Sequence, residues 1–280
     1  IDLASIALDD IPNPKEYVSR VGEPFVIRLN LGSLDASFLK AEAKLNDGRI
    51  KPLTISDKLP NGTVKLTYVP NDIGGFQLLL SYAQVSLLRS MHKYSAVNMS
   101  GLQVTPPAAY SLLKEYVTFT VNGLPQGDQN LSIFAVQKVH DAIVKATYDR
   151  STGIAKFAPK CIGEYVVSAM YGNYHINGSP FIVMVTNPDA CVITSPLPPV
   201  VHINDLATLI VDTSKAGPGE LGCNPVSTAD SLALQVRVIK NRHDCCVLSS
   251  STVGTSSMVV TWAGYRISLS PLVVNFVDAS

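Results

Sequence analysis

The chain repeats itself at an interval of about 90 residues, and this internal repetition limits the folds that are open to it. Tyr82, Tyr171 and Trp262 recur at this interval, and each is followed by a short turn and a second strand-like run. Solenoid units are usually 20–50 residues long, so a longer period indicates a tandem array of whole domains. We therefore predict three domains, which cover residues 1–100, 101–188 and 189–280.

Within each repeat, apolar residues alternate over short runs that turn residues separate. This period of two residues predicts β-strands, and no run shows the sustained 3.6-residue period of a helix. In the middle repeat we predict strands near Glu115–Gly123, Asn130–Gln137, Ala142–Arg150, Ile154–Pro159, Glu164–Gly172 and Ser179–Asn187. With a leading strand, each repeat has about seven strands in about 90 residues. The sequence thus predicts an all-β protein made of three tandem immunoglobulin-like β-sandwich domains.

The composition is compatible with such domains and excludes several classes of function. Hydrophobic residues make up 46% of the chain and charged residues 16%, so each domain can bury a core. The 22 basic residues are balanced by 22 acidic residues. A protein that neutralises phosphates carries a basic excess, so we expect no nucleic-acid partner. No apolar run approaches the roughly 20 residues of a membrane-spanning helix, so we expect no direct membrane insertion.

The cysteines and the glycosylation sequons favour different cellular compartments. The cysteines are odd in number, and they are Cys161, Cys191, Cys223, Cys245 and Cys246. A secreted disulfide framework distributes an even set over its domains, so this pattern favours free thiols in a reducing compartment. Asn-x-Ser/Thr sequons favour an extracellular protein instead, and they occur at Asn61, Asn98, Asn130 and Asn177. Both compartments remain open on these residues.

The sequence contains no specific catalytic or metal-binding motif. The histidines are scattered, and the adjacent cysteines of His243-Asp-Cys-Cys246 do not match the Cys-x-x-Cys spacing of zinc sites. The Gly-rich segment Ala216–Gly219 leads into no helical pattern, so it predicts a turn and not a phosphate-binding loop. We therefore expect no enzymatic activity, no cofactor and no metal.

Two segments resemble filamin-type immunoglobulin-like repeats. Gly163–Phe181 carries Gly-x-Tyr, Tyr-Gly and Ile-x-Gly-Ser-Pro-Phe, and is similar to the end of such a repeat. Val211–Gly222 contains Ala-Gly-Pro-Gly, and is similar to the region between the second and third strands. The first repeat has Ser90-Met-His92 in place of Ser-Pro-Phe, the second lacks Ala-Gly-Pro-Gly and the third lacks Gly-x-Tyr. The chain thus resembles three consecutive repeats of a divergent filamin or a filamin-like protein fragment.

The resemblance implies a non-catalytic rod segment of an actin-crosslinking, mechanosensing scaffold in the cytoplasm and the cytoskeleton. The implied partners are peptide segments of receptor tails or cytoskeletal adaptors, neighbouring repeats, and F-actin through regions outside this sequence. In filamin-type repeats a partner peptide adds as a strand in the groove between strands C and D, which a neighbouring repeat often masks. The alternative is an extracellular adhesion protein or receptor ectodomain built of immunoglobulin-like repeats.

The phase of each C strand predicts which groove can accept a peptide. In the first repeat the outward residues are charged, which disfavours pairing at an edge; they are Lys40, Glu42 and Lys44. In the second repeat the outward residues form a partly apolar groove, comprising Ser132, Phe134, Val136, Lys145 and Thr147. Either a partner peptide or an adjoining domain would cover Phe134.

The third repeat has a groove of a different kind. Pro225 interrupts its C strand and removes a main-chain donor. Its D strand exposes side chains that we predict to contact a partner, namely Ala233, Gln235 and Arg237. The uncharged segment Cys191–Val201 is either the first strand of this repeat or a strand that can add to a neighbouring groove.

Overall fold

The computed structural model of the chain describes residues 6, 12, 17–87, 92–124, 130–226, 232–239 and 243–278. The side chains of residues 232, 237–239, 243–245 and 247 lie outside this description. In the described residues the regular structure is β-strand, with two short 3₁₀ turns at Ala36–Phe38 and Pro188–Ala190. No helix in this part of the chain is long and apolar enough to cross a membrane. The predicted all-β fold of immunoglobulin-like sandwiches is confirmed.

The strands of the first repeat form two sheets around an aromatic core. They are β1 (Val18–Arg20), β2 (Phe25–Asn30), β3 (Leu39–Leu45), β4 (Ile50–Pro52), β5 (Thr54–Ile55), β6 (Thr63–Tyr68), β7 (Gly74–Tyr82), β8 (Val85–Ser86) and β9 (Lys93–Val97). One sheet has the order β1-β9-β7-β3-β4, with β8 on β7, and the other has the order β2-β6-β5. Between them, the rings of Phe25 and Phe76 meet edge to face at 5.4 Å, a favourable arrangement of aromatic quadrupoles.

The second repeat has the same plan. Its strands are β10 (Gln103–Thr105), β11 (Tyr110–Leu112), β12 (Val117–Asn122), β13 (Leu131–Gln137), β14 (Ala142–Lys145), β15 (Thr147–Asp149), β16 (Ile154–Phe157), β17 (Gly163–Tyr171), β18 (Tyr174–His175) and β19 (Phe181–Thr186). The sheets have the orders β10-β12-β16-β15 and β11-β19-β17-β13-β14, with β18 on β17. The predicted strand Ala142–Arg150 is therefore two strands, β14 and β15, which lie in different sheets.

The third repeat arranges its strands differently. They are β20 (Val192–Ser195), β21 (Val200–His202), β22 (Ala207–Asp212), β23 (Leu221–Pro225), β24 (Leu232–Ile239), β25 (His243–Ser250), β26 (Gly254–Trp262), β27 (Tyr265–Arg266) and β28 (Leu272–Val277). The sheets have the orders β20-β22-β25-β24 and β21-β28-β26-β23, with β27 on β26. Here the C strand is β23, and the strand that follows it, β24, lies in one sheet over its whole length.

The residues that marked the repeat in the sequence occupy equivalent positions in the structure. Tyr82, Tyr171 and Trp262 each end a nine-residue strand that begins with glycine. Their exposed fractions are 2%, 0% and 5%, so each side chain is buried; Tyr82 and Trp262 belong to the apolar clusters of the first and third repeats. The alignment of the three repeats at these positions is confirmed.

Packing divides the chain into two compact units. One comprises Ile1–Val104, Val121–Ser132 and Ala169–Ser179, and the other comprises Thr105–Thr120, Ile133–Ser168 and Pro180–Ser280. These units are not the three predicted domains, because the second repeat contributes residues to both. The boundaries at residues 1–100, 101–188 and 189–280 stay a prediction.

Candidate strand-addition sites and repeat junctions

The side chains predicted to form the groove of the second repeat face outward. Ile133 and Ala135 are buried, whereas Phe134 and Val136 are partly exposed on the opposite face of β13. This alternation follows from the pleat of a strand, which directs successive side chains to opposite faces. The remaining three predicted residues are exposed, and they are Ser132, Lys145 and Thr147.

The edge of β13 beside this face is already paired. β14 runs antiparallel to it, and Phe134 lies directly opposite Lys145. The amide of Ala146 extends the ladder by donating to the carbonyl oxygen of Ile133 at 3.1 Å. Thr147 then belongs to β15, where it pairs with Lys156 in the other sheet. An added strand must therefore replace β14 or pair with the outer edge of β14.

In the first repeat the C strand is β3, and its edge is already paired in the same way. β4 pairs with β3 opposite Glu42, Ala43 and Lys44. On the outer face, Lys40 forms a 2.9 Å ion pair with Glu42. The predicted charged face of this repeat is confirmed.

In the third repeat the C strand is β23, which lies at the edge of its sheet. β24 pairs with β25 along all eight of its residues. In the part of the chain that the structure describes, no strand pairs with the outer edge of β23. β23 and β24 nevertheless approach each other to within 8 Å at several Cα pairs. They therefore flank the position of the groove between strands C and D, which we call the cleft of the third repeat.

Two residues predicted for this cleft lie where strand phase placed them. Ala233 and Gln235 are exposed on β24, whereas Leu234 packs against the core. Arg237 lies on the same strand, and its side chain is outside the described part. Pro225 is the last of the five residues of β23.

The uncharged segment Cys191–Val201 forms the first strands of the third repeat. Ile193 on β20 pairs with Val211, and Val201 on β21 pairs with Phe276. The segment therefore passes from one sheet of its own repeat to the other. The structure therefore agrees with the first interpretation, in which this segment forms the first strand of the third repeat, and not with a strand added to a neighbouring groove.

The Gly-rich turn of the third repeat makes a buried junction with the second repeat, inside the second unit. The carbonyl oxygen of Ala216 accepts a 2.9 Å hydrogen bond from Oγ1 of Thr186 and a 2.8 Å bond from the amide of Asn187. Ala216 and Thr186 are both fully buried. A buried carbonyl needs such partners, because an unpaired one costs about 1–3 kcal/mol.

The two glycines of this turn are required for different reasons. Gly217 has φ +83°, and a Cβ there would lie 2.9 Å from Cβ of Ile162 and 3.1 Å from the carbonyl oxygen of Val185. At Gly219, a Cβ would lie 2.6 Å from the indole nitrogen of Trp262. The first glycine thus permits close approach to the second repeat, and the second makes room for a core side chain.

Further contacts in the second unit widen this junction. The hydroxyl of Tyr265 donates to the carbonyl oxygen of Tyr110 at 3.2 Å. Lys114 and Asp189 form an exposed ion pair at 3.5 Å, which contributes little in water. A cleft of about 320 Å³ lies beside them, lined by Leu112–Glu115, Thr186–Asp189, Tyr265 and Arg266. The residues that meet at this junction are remote from one another in sequence, so sequence patterns could not identify them.

A second junction lies inside the first unit, between the start of the first repeat and the turn after β17. The amide of Val18 donates to Oδ1 of Asn173 at 2.9 Å. The guanidinium of Arg20 lies 4.1 Å from the ring centroid of Tyr174, within the range of a cation–π interaction. A Cβ at Gly172 would lie 2.5 Å from Cγ2 of Val18, so this turn also needs glycine.

The described residues contain no group of three or more histidine, cysteine or acidic side chains that could hold a metal ion. Of the cluster His243–Cys246, only the Cys246 side chain belongs to the described part, where it is buried. The cysteines whose side chains the structure describes are in the reduced form.

Comparison with known proteins finds no matching family model. The chain is 26% identical to filamin-A of Drosophila melanogaster over 151 residues, which cover 52% of this chain and 7% of that protein. The chain therefore spans a small part of the length of this relative. The resemblance to filamin-type immunoglobulin-like repeats is confirmed by this similarity and by matches to other filamins.

Two solved structures are also similar to the chain. The match to the filamin domain of Lin-41 covers 33% of this chain and 92% of the Lin-41 chain, with 17% identity and a TM-score of 0.29. The match to the Escherichia coli adhesin FdeC covers 98% of this chain and 96% of the FdeC chain, with 14% identity and a TM-score of 0.34.

Proposed function

We propose that the chain is a non-catalytic rod segment of an actin-crosslinking, mechanosensing cytoskeletal scaffold that binds partner peptides by β-strand addition. Its place of action is the cytoplasm, and its partners are peptide segments of receptor tails or cytoskeletal adaptors. The sequence similarity to filamins supports the scaffold. The observation that carries the peptide-binding part is the position of β23 at a sheet edge beside β24.

The main chain of β23 is oriented to receive a strand. Glu220 accepts from Ala263, and Val226 donates to Ser257, so these two residues bond toward β26. In an antiparallel ladder alternate residues bond to opposite sides. Leu221 therefore directs its N–H and C=O groups to the outer edge, whereas Pro225 offers a carbonyl oxygen alone. A peptide in the cleft would gain main-chain bonds from β23 and side-chain contacts from Ala233 and Gln235.

The outer face of the second repeat is a further contact surface in this proposal. Phe134 and Val136 lie beside the exposed Ile143, which faces Val136 across the strand pair. Because β14 occupies the edge of β13, a partner would meet this surface by its side chains or by pairing with β14. A charge at Phe134 would then oppose binding, since an ionised group is costly in a half-apolar contact.

A titration with a synthetic peptide tests this function. The probe is a fluorescent ten-residue peptide of alternating valine and threonine, added to the full chain and followed by anisotropy. We expect saturable binding that is lost when Ala233→Lys and Gln235→Lys are combined, because charges on an edge oppose strand pairing. Val192→Lys is the matched control, since Val192 is also exposed on the strand at the opposite edge of the same sheet.

The outcomes separate the two surfaces. Loss of binding in the β24 variant, but not in the control, supports the cleft of the third repeat. Loss with Phe134→Asp alone assigns binding to the second repeat. No binding by the parent chain, or equal affinity in all variants, contradicts strand addition by this chain.

The alternative function is an adhesion protein or receptor ectodomain. It is favoured by the exposure of three sequon asparagines, Asn61, Asn98 and Asn177, which leaves them accessible to glycosylation. Intact-mass measurement of the protein from its native source distinguishes the two functions. Glycans at these asparagines would support the ectodomain, whereas an unmodified mass supports the cytoplasmic scaffold.

A further inference from the structure

Two cysteines that are about 20 residues apart in sequence meet inside the third repeat. Cys223 lies on β23 and Cys246 on β25, in different sheets of the sandwich. Both side chains belong to the same apolar cluster, where Cys246 is fully buried and Cys223 is partly buried. Their thiols are joined by a hydrogen bond. The contact therefore crosses the interior from one sheet to the other.

We propose that Cys223 and Cys246 are a disulfide site, which closes between the two sheets when the protein meets an oxidising low-molecular-weight disulfide such as oxidised glutathione. Neither cysteine is in a disulfide in the structure, so the bond would form from a folded, reduced pair. The proposal holds whether the chain is a scaffold or an ectodomain, because it depends on the positions of the two sulfur atoms.

Thiol–disulfide exchange proceeds in two balanced steps. Cys223 is the accessible member, so its thiolate attacks one sulfur of oxidised glutathione, forms a mixed disulfide and releases the first glutathione thiolate. The thiolate of Cys246 then attacks the sulfur of Cys223 and releases the second glutathione. The protein loses two protons and two electrons, and oxidised glutathione is reduced to two thiols.

The environment of the pair supports this chemistry. The hydrogen bond from Cys223 lowers the pKa of the Cys246 thiol below its ordinary value, against the opposing effect of burial. A lower pKa increases the thiolate fraction, and the thiolate is the reactive form. The second step is also intramolecular, so it does not depend on another collision.

Of the other cysteines, Cys191 is buried in the same apolar cluster of the third repeat as the pair, whereas Cys161 lies in the second repeat. The thiol of Cys161 contacts the hydroxyl of Tyr165 at 3.4 Å in the second repeat. Cys245 is adjacent to Cys246 in the sequence. The pairing can therefore be assigned by replacing Cys245, which leaves the proposed pair intact.

Oxidation of the full chain with glutathione tests the proposal. In a Cys245→Ser variant we expect a mass loss of about 2 Da, from two hydrogens, and a non-reduced proteolytic fragment that joins Cys223 to Cys246. Closing the loop restricts the unfolded chain, so the unfolding midpoint followed by Trp262 fluorescence should rise by several degrees and fall again with dithiothreitol.

Matched variants make the result specific. Cys161→Ser should keep the mass change and the midpoint shift, whereas Cys223→Ser and Cys246→Ser should each abolish both. Unfolding under reducing conditions verifies that these variants fold. A fragment that joins a different pair, a stable glutathione adduct on Cys223, or an unchanged mass would overturn the proposal.

Discussion

Replacing Gly217 by alanine should destabilise the third repeat more than the same change at Gly264. The two glycines have nearly the same backbone conformation, with φ +83° and φ +84°. An alanine in the left-handed region costs about 1–2 kcal/mol. At Gly264 a Cβ meets no atom within 4 Å, so this conformational cost is the whole expected effect.

At Gly217 a packing cost is added. The new Cβ would lie 2.9 Å from Cβ of Ile162, whereas two carbon atoms prefer about 3.5–4.0 Å. The turn must move away from the second repeat, and overpacking of this kind costs about 1–3 kcal/mol. The movement also strains the two hydrogen bonds to Ala216. We expect a total loss of about 2–5 kcal/mol for Gly217→Ala and about 1–2 kcal/mol for Gly264→Ala.

Urea unfolding of the full chain measures this difference. The chain has a single tryptophan, so the fluorescence of Trp262 reports on the third repeat even if the repeats unfold separately. The free energy of unfolding follows from the midpoint when the slope is unchanged. Equal losses in the two variants would refute the idea that contact with Ile162 constrains Gly217.

Two further changes test buried polar groups. Thr186→Val removes one hydrogen bond to the carbonyl oxygen of Ala216, so the third repeat should lose about 1 kcal/mol in the same fluorescence assay; an unchanged midpoint would contradict this. Burial raises the pKa of Tyr94 to about 12, above the ordinary value of about 10 in an unfolded chain. The stability that its neutral form supplies is complete below pH 10 and is lost as the pH rises toward 12. Urea unfolding followed by circular dichroism should show a smaller loss over this range for Tyr94→Phe, and a pH dependence equal to the parent's would contradict the assignment.

The sequence predicted the strands well because each buried face has a period of two residues. The nine-residue strand Gly163–Tyr171 lies within one residue of its predicted bounds, Glu164–Gly172, at each end. Alternation does not say which strand a segment pairs with. The division of Ala142–Arg150 between two sheets at Ala146 therefore appeared only in the structure, and with it the closure of the β13 edge.

The contacts at the junction between the second and third repeats could not be predicted, for a related reason. Ala216–Gly219 was predicted as a turn from its glycines, but its partners Thr186 and Ile162 are remote in sequence. A turn pattern reports backbone conformation and carries no information on what packs against it. The separation of Cys223 from Cys246 likewise gave no sign that the fold brings their thiols together.

The last strand of each repeat pairs in parallel with a strand near the start of that repeat, and this pairing determines how a pulling force is distributed. β21 runs parallel to β28, with Val201 opposite Phe276, and β1 and β11 are parallel to β9 and β19. Tension on the two ends of a repeat pulls such strands along their lengths in opposite directions. The hydrogen bonds of a parallel ladder are evenly spaced, so they share this shear load and must yield together. An antiparallel pair of terminal strands would be opened one bond at a time from its end, which needs less force.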